Sequence, residues 1–283
     1  MKTTPLLSII TVNLNNRAGL EQTIQGVINQ KFTSFEFLII DGGSNDGSHE
    51  IIDFYTDAIS YWVSEPDRGI YHAMNKGIER ATGQYCLFLN SGDWFVDEQV
   101  LERCFNERQT ADLLIGGCHV SKNGRIIHTY KPTGEITFNS FYKTTIPHQS
   151  TFIKKALFDR LGNYRETYKI HGDYEFWIRS VITHQCSVAM LDCVVADYNL
   201  EGLSNRHEYS VQSQEEIRQI LQQVVPERVL ADYETWMAKR IELSMWEWVK
   251  SKGLLYGTIQ FIYDRAVGIV ALKQRLFARK SDQ

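Results

Sequence analysis

Short apolar runs, each closed by a cluster of Asn, Asp, Gly or Ser, alternate through the first third of the chain with stretches whose apolar residues return every three or four positions. Leu6 to Val12 reads as a buried strand, Asn13 to Asn16 as the loop after it, and Leu20, Ile24, Val27 and Ile28 as one face of a helix. Phe35 to Ile40 repeats the strand, Asp41 to Ser48 the polar loop, and His49 to Tyr55 the helix. Ile59 to Val63 is a third strand. Gly69 to Ala81 is a helix with Ile70, Ala73, Met74, Gly77, Ile78 and Ala81 at helical spacing, and a fourth apolar run, Tyr85 to Leu89, ends in Asn90-Ser91-Gly92-Asp93. Strands alternating with helices predict an α/β fold with a mainly parallel sheet and right-handed crossovers. In such a sheet the polar loops after the strands meet along one edge and form a cleft.

The pattern loosens further on. Ala111 to Val120 is a strand in which Gly116-Gly117 lets the backbone approach a neighbour closely, and Pro132 to His148 is irregular. A strand at Ser150 to Ile153, a helix at Lys155 to Leu161 and a helix at Tyr174 to Thr183 follow. Beyond Asn205 the pattern is helical, with Gln214 to Val225 and Val229 to Lys250, the latter carrying Trp236, Trp246 and Trp248. These features predict a catalytic domain over 1–205 and a helical segment over 206–283. Leu254 to Leu272 holds Asp264 and Arg265 and runs into Lys273, Arg275, Arg279 and Lys280, which a membrane-spanning helix tolerates badly. Two readings stand: an amphipathic helix with a basic end for an anionic membrane surface, or a helix capping the domain with a solvated basic tail.

Composition narrows the classes. The 283 residues, 43% hydrophobic and 12% aromatic, describe a globular protein, and a formal charge of −4 excludes nucleic acid as the main partner. Five cysteines without a CxxC pair point to a reducing compartment, and Met1 to Pro5 leads into a strand too short for a signal-peptide core. The expected location is the cytosol. Oligomeric state stays open.

The four loops carry the candidate chemistry: Asn13 to Asn16, Asp41 to Gly47, Glu65 to Gly69, and Asn90 to Asp93. They lack the GxGxxG spacing of a dinucleotide site and the phosphate loop of NTPases. Asp41 and Asp46 also suit a Gly-rich turn with Asx hydrogen bonds, Arg68 a solvated loop position, and Asp173 a simple helix N-cap.

Taken jointly, Ser8-Ile9-Ile10-Thr11-Val12-Asn13, Asp41-Gly42-Gly43-Ser44-Asn45-Asp46-Gly47-Ser48, Glu65-Pro66-Asp67-Arg68-Gly69-Ile70, Pro147-His148-Gln149 and His171-Gly172-Asp173-Tyr174 resemble the inverting, nucleotide-sugar-dependent glycosyltransferases of family 2, with the GT-A fold. The helix Gly69 to Gly77 is similar to the branch containing colanic-acid and O-antigen transferases. The resemblance implies that Thr11 and Asp41 hold the nucleotide base, usually uracil, and that Asn13 and Asp67 line the donor pocket, with Arg68 clamping phosphate. Aligned with the family's Asp-x-Asp-Asp motif, the chain reads Asn90-Ser91-Gly92-Asp93, which leaves Asp93 as the implied ligand of Mn²⁺ or Mg²⁺ and Asn90 as a ribose contact. Asp173 is the implied general base, with Glu175 in reserve. His148 is assigned to the acceptor pocket, and Arg206 or His207 to a loop over the phosphates.

The resulting expectation is transfer of one sugar from a UDP-sugar to a lipid-linked oligosaccharide at the inner membrane face, in synthesis of a bacterial surface polysaccharide. Two other classes remain open: a hydrolase using Asp93 and Asp173 as a carboxylate pair, and a non-catalytic nucleotide-binding scaffold.

Overall fold

A computed structural model describes residues 4–122, 124–200, 210–253 and 256–267. The chain forms two compact units, Met1–Val224 and Val225–Gln283.

The first unit is built on a nine-stranded mixed sheet. Strands β1 (Leu7–Asn13), β2 (Phe35–Asp41), β3 (Tyr61–Ser64) and β4 (Tyr85–Phe88) are parallel and ordered β3-β2-β1-β4. All seven residues of β1 are buried, as expected for a central strand covered on both faces. The order reverses direction at β1, which lies between β2 and β4. That is the switch point outside which open α/β sheets bind ligands.

Helices α1 (Arg17–Ile28), α2 (Ser48–Phe54) and α3 (Ile70–Arg80) are the crossovers. Asn16 caps α1 through its side chain, which accepts from Gly19 N–H, and Leu20, Ile24 and Val27 enter the core. Helix α3 lies so close to the sheet that a Cβ on Gly77 would stand 2.4 Å from Ile10 Cγ2, so glycine there sets the helix-to-sheet distance.

The second half of the sheet departs from the parallel pattern. After the short β5 (Trp94–Phe95) and α4 (Val100–Cys104) come β6 (Leu113–Lys122), β7 (Arg125–Tyr130), α5 (Phe138–Lys143), β8 (Thr151–Lys154), α6 (Lys155–Leu161) and α7 (Gly172–Trp177). A π-helical turn, Ile178–Thr183, extends α7, and β9 (Val188–Asn199) and α8 (Ser210–Val224) complete the unit. Strand β8 is antiparallel to both β4 and β6, whereas β9 runs parallel to β6. Gly116 and Gly117 sit at register shifts where a Cβ would meet Val195 Cγ2 at 2.4 Å and the Tyr130 carbonyl at 3.0 Å, which is the close approach the paired glycines predict. Cys86 fills core, and burial pushes its thiol up to about 12.

The second unit contains α9 (Glu227–Ser251), which exposes Trp236, Trp246 and Trp248, and a helical stretch over 256–267 that exposes Phe261, Ile262 and Tyr263. Among the described residues no helix is long and apolar enough to cross a membrane.

Candidate active site

Parallel registry brings the carboxyl ends of the first four strands to one edge. Asn13 pairs with Asp41, Asp41 with Ser64, and the loop after β4 reaches the loop after β1 through Asn16 Nδ2, which donates to the Ser91 carbonyl at 2.8 Å. Loop 90–93 is also pinned from α1. Gly92 N–H donates to Thr23 Oγ1, which in turn donates to the Asp93 carbonyl. Gly92 has φ +99°, a backbone state side chains with a Cβ rarely adopt, so this loop shape disfavours a carboxylate where the family motif has one.

Asp41 is fully buried. Asn13 Nδ2 and Ser44 Oγ donate to its Oδ1 at 2.7 and 2.5 Å, and Ser64 Oγ, Ser44 N–H and Gly43 N–H donate to Oδ2 at 2.6, 2.8 and 3.1 Å. A carboxylate offers about four lone pairs, so this one has none left for a nucleotide base. Burial pushes Asp41 up, and the hydrogen bonds from Ser44, Ser64 and Asn13 outweigh it and hold the group below its ordinary value. These bonds make Asp41 the internal strut of an Asx-type turn, as is Asp46, which accepts from Ser48 N–H. Thr11 is also fully buried and donates to the Leu89 carbonyl at 2.7 Å. Asn13 closes β1 beside them. Its Nδ2 is committed to Asp41, while its buried Oδ1 has no hydrogen-bond partner.

Asp173 is second in α7, where it does not cap the helix. Its Oδ1 accepts from Tyr174 N–H at 2.8 Å and lies 3.0 Å from the Tyr71 hydroxyl, and its Oδ2 lies 3.1 Å from His148 Nδ1. The single Tyr71 proton also has the Ile170 carbonyl within reach at 2.7 Å, so it serves one acceptor at a time. Burial pushes Asp173 up, but the hydrogen bond and charge of His148 and the Tyr174 N–H bring it below the usual carboxylate range. A Cβ on Gly172 would meet the Tyr71 ring at 2.8 Å, so this glycine lets the ring lie against the start of α7. Glu175, the reserve base, is consumed by ion pairs to Arg179 and Arg165.

Helix α8 fixes the approach to this carboxylate. Glu216, buried, accepts from the N–H groups of Lys169, Ile170 and His171 at 2.9, 3.0 and 3.0 Å. Glu216→Ala leaves those donors without a partner and is expected to cost about 1–3 kcal/mol, read as a lowered urea midpoint. An unchanged midpoint would refute the strut.

Asp93 does not fit the metal-ligand role the resemblance implies. It is 5% exposed, with one oxygen accepting from Asn199 N–H at 3.2 Å and the other from Gln149 Nε2 at 3.3 Å. Burial pushes it up to about 7, against the pull of His148, Asn199 and Gln149. Among the described residues no three His, Cys, Asp or Glu side chains gather as a metal centre. The donors of the described residues thus provide no built cation site.

The remaining expected residues divide. Asn90, Ser91, Gly92 and Asp67 stand on the rim loops, Asp67 so near Gly42 that a Cβ there would meet its Oδ2 at 2.6 Å. Arg68 is exposed and paired with Glu166 at 2.6 Å. His148 joins Asn90 to Asp173, its Nε2 lying 3.1 Å from Asn90 Nδ2 and its Nδ1 3.1 Å from Asp173 Oδ2. Arg206 and His207 fall outside the described residues. Tyr71 and Glu216 are absent from the sequence expectations. Tyr71 sits on a helix face whose spacing signals only core, and Glu216 is an acidic residue within an otherwise solvated helix pattern.

The family described as Glycosyl transferase family 2 matches residues 8–168. An uncharacterized glycosyltransferase of Mycobacterium tuberculosis is 31% identical over 220 residues, covering 74% of this chain and 81% of that protein. A glycosyltransferase of Mycobacterium bovis named for PGL/p-HBAD biosynthesis is 29% identical, covering 71% and 80%. Among solved structures, S. aureus TarS 1–349 in complex with UDP-GlcNAc superposes with a TM-score of 0.57 at 19% identity over 72% of this chain. The chain spans 60% of that structure and 36% of the longer TarS chain.

Proposed function

We propose that this chain, which belongs to glycosyl transferase family 2 and is a glycosyltransferase, moves a single sugar, with inversion, from a UDP-sugar to a lipid-linked glycan of a bacterial surface polysaccharide. Within the family we place it in the branch of colanic-acid and O-antigen transferases. One observation carries the reading: the hydrogen-bonded line Asn90–His148–Asp173 joins the loop at the sheet's switch point to a buried, ionised carboxylate. Donor edge and proton acceptor thus share one rim.

In the proposed reaction the donor lies along the loops after β1 to β4. Asn13 Oδ1, an acceptor without a partner, takes the imide N–H of uracil. Asp67 and Asn90 face ribose, Ser91 and the Gly92 backbone border the donor, and the diphosphate competes with Glu166 for Arg68. The acceptor hydroxyl gives its proton to Asp173 as its oxygen attacks the anomeric carbon, and the bond to UDP breaks on the opposite face. Mn²⁺ or Mg²⁺ bound together with the donor's diphosphate would supply neutralisation of leaving-group charge. The exposed tryptophans of α9 suit peripheral contact of the 206–283 segment with the cytoplasmic face of a membrane. The name of the mycobacterial relative, PGL/p-HBAD biosynthesis glycosyltransferase, supports a biosynthetic role.

A thermal-shift panel tests donor class. UDP and UDP-sugars are expected to stabilise the chain, by about 2.7 kcal/mol at a hundredfold excess over Kd. CDP-sugars should do so less, because cytosine presents an acceptor where uracil presents the imide donor. Mn²⁺ should add to the shift only when diphosphate is present. Stabilisation by free sugars alone favours the hydrolase, and no response to any nucleotide ends the reading.

A further inference from the structure

We propose that His148 is a positioning residue of the base: clamped between Asn90 and Asp173, it holds the Asp173 carboxylate charged and aimed at the acceptor hydroxyl. The inference rests on Asp173 being the base.

The ring has little freedom. His148 opens a tight turn, His148–Ser150, between the irregular segment and β8, and the turn is tied down on both sides. Thr151 Oγ1 donates to the Pro147 carbonyl at 2.8 Å, Ser150 Oγ donates to the Gly116 carbonyl at 3.0 Å, and Gln149 is bonded to Asp93. The side chains of His148 and Asp173 are 16% and 14% exposed, so water screens their contact weakly.

Hydrogen-bond polarity selects the ring's form. A carboxylate at Nδ1 requires a donor there, and the Asn90 amide N–H₂ at Nε2 requires an acceptor. That is the neutral tautomer protonated at Nδ1. The same geometry leaves Asn90 Oδ1 buried without a partner. A half-turn of the Asn90 amide brings that oxygen to Nε2 and accommodates the imidazolium instead, so the clamp keeps a donor on Asp173 in either protonation state.

Other groups facing the carboxylate do not supply this. Tyr71 shares its proton with Ile170 and is pushed well above its ordinary value by burial and by Asp173. Tyr164 is buried and raised likewise. His171 turns Nε2 to Ser213, and burial lowers it. Asp93, which also faces His148 electrostatically, is held up by its own burial. After burial, the His148 contact is the largest influence on Asp173, and it favours the charged form.

The test uses the full chain with ¹³C-labelled aspartate and ¹⁵N-labelled histidine, the Asp173 resonance being assigned by its loss in Asp173→Asn. Wild type should show a proton on His148 Nδ1, and His148→Ala should raise the Asp173 titration midpoint by about one pH unit or more. His148→Gln, whose amide can still donate to Oδ2, should restore part of that shift and guards against a variant that does not fold. UDP release from UDP-glucose, UDP-galactose and UDP-N-acetylglucosamine should show its acid limb moving with the titration, with donor KM within about twofold. An unmoved midpoint in both His148 variants overturns the proposal while leaving Asp173 as base. Full activity in Asp173→Asn instead removes the base reading, and this inference with it.

Discussion

Asp173→Asn is expected to lower the rate of sugar transfer by about 10³-fold while leaving nucleotide-sugar affinity within about twofold. The substitution keeps shape and most of the surrounding bonds, because the amide oxygen still accepts from Tyr174 N–H and from Tyr71. Only the ability to take a proton disappears. Affinity should survive because Asp173 stands on α7, whereas the proposed donor site is on the loops after β1 to β4. Rates of UDP release with acceptor present, set beside a binding isotherm for the donor, separate the two quantities. Transfer within tenfold of wild type would remove Asp173 as the base and shift that role to another group.

Asp41→Ala should cost roughly 3 kcal/mol of stability and weaken nucleotide binding indirectly, since it removes the anion on which Asn13, Gly43, Ser44 and Ser64 converge. The pH dependence has a definite sign. The folded-state value of Asp41 lies below its ordinary 3.8, so its contribution is fully present above that value and is lost as pH falls through 3.8 and below the folded value. Asp93 acts in the opposite sense. Its folded value is raised to about 7, so stability declines as pH rises from about 4 to about 7. Urea midpoints of wild type and Asp41→Ala between pH 3 and 7 should therefore converge at the acid end and separate towards neutrality. A constant gap across that range would refute Asp41 as a buried anion.

The first four strands and their helices were readable because their signals are local. In β1 every side chain is buried, so the run is continuously apolar, and in α3 the buried residues recur with the helical period. Helix α6 falls where its periodicity places it. Strand β9 left no such signal: most of its residues are only half-buried, Asp192 and Asp197 interrupt it, and its pairing with β6 shifts register twice. Strands β6 and β8 were legible as apolar runs, but the antiparallel direction of β8 was not, since strand direction is a property of the partner.

By itself the amino-acid order determined that four polar loops follow four apolar strands, and it supplied Asp173 beside a helix start. Only the tertiary structure decided which carboxylates face chemistry. Asp41 and Asp93 look as available as Asp173 in a linear reading, yet the first is saturated by five donors and the second is sealed against Asn199 and Gln149. Asp173 is prepared by Tyr71 and His148, 102 and 25 positions away, and by Glu216 acting on the turn before it. A carboxylate's protonation and reach depend on burial and on which donors fold around it, and those neighbours are set by packing across the sheet, not by adjacency along the chain.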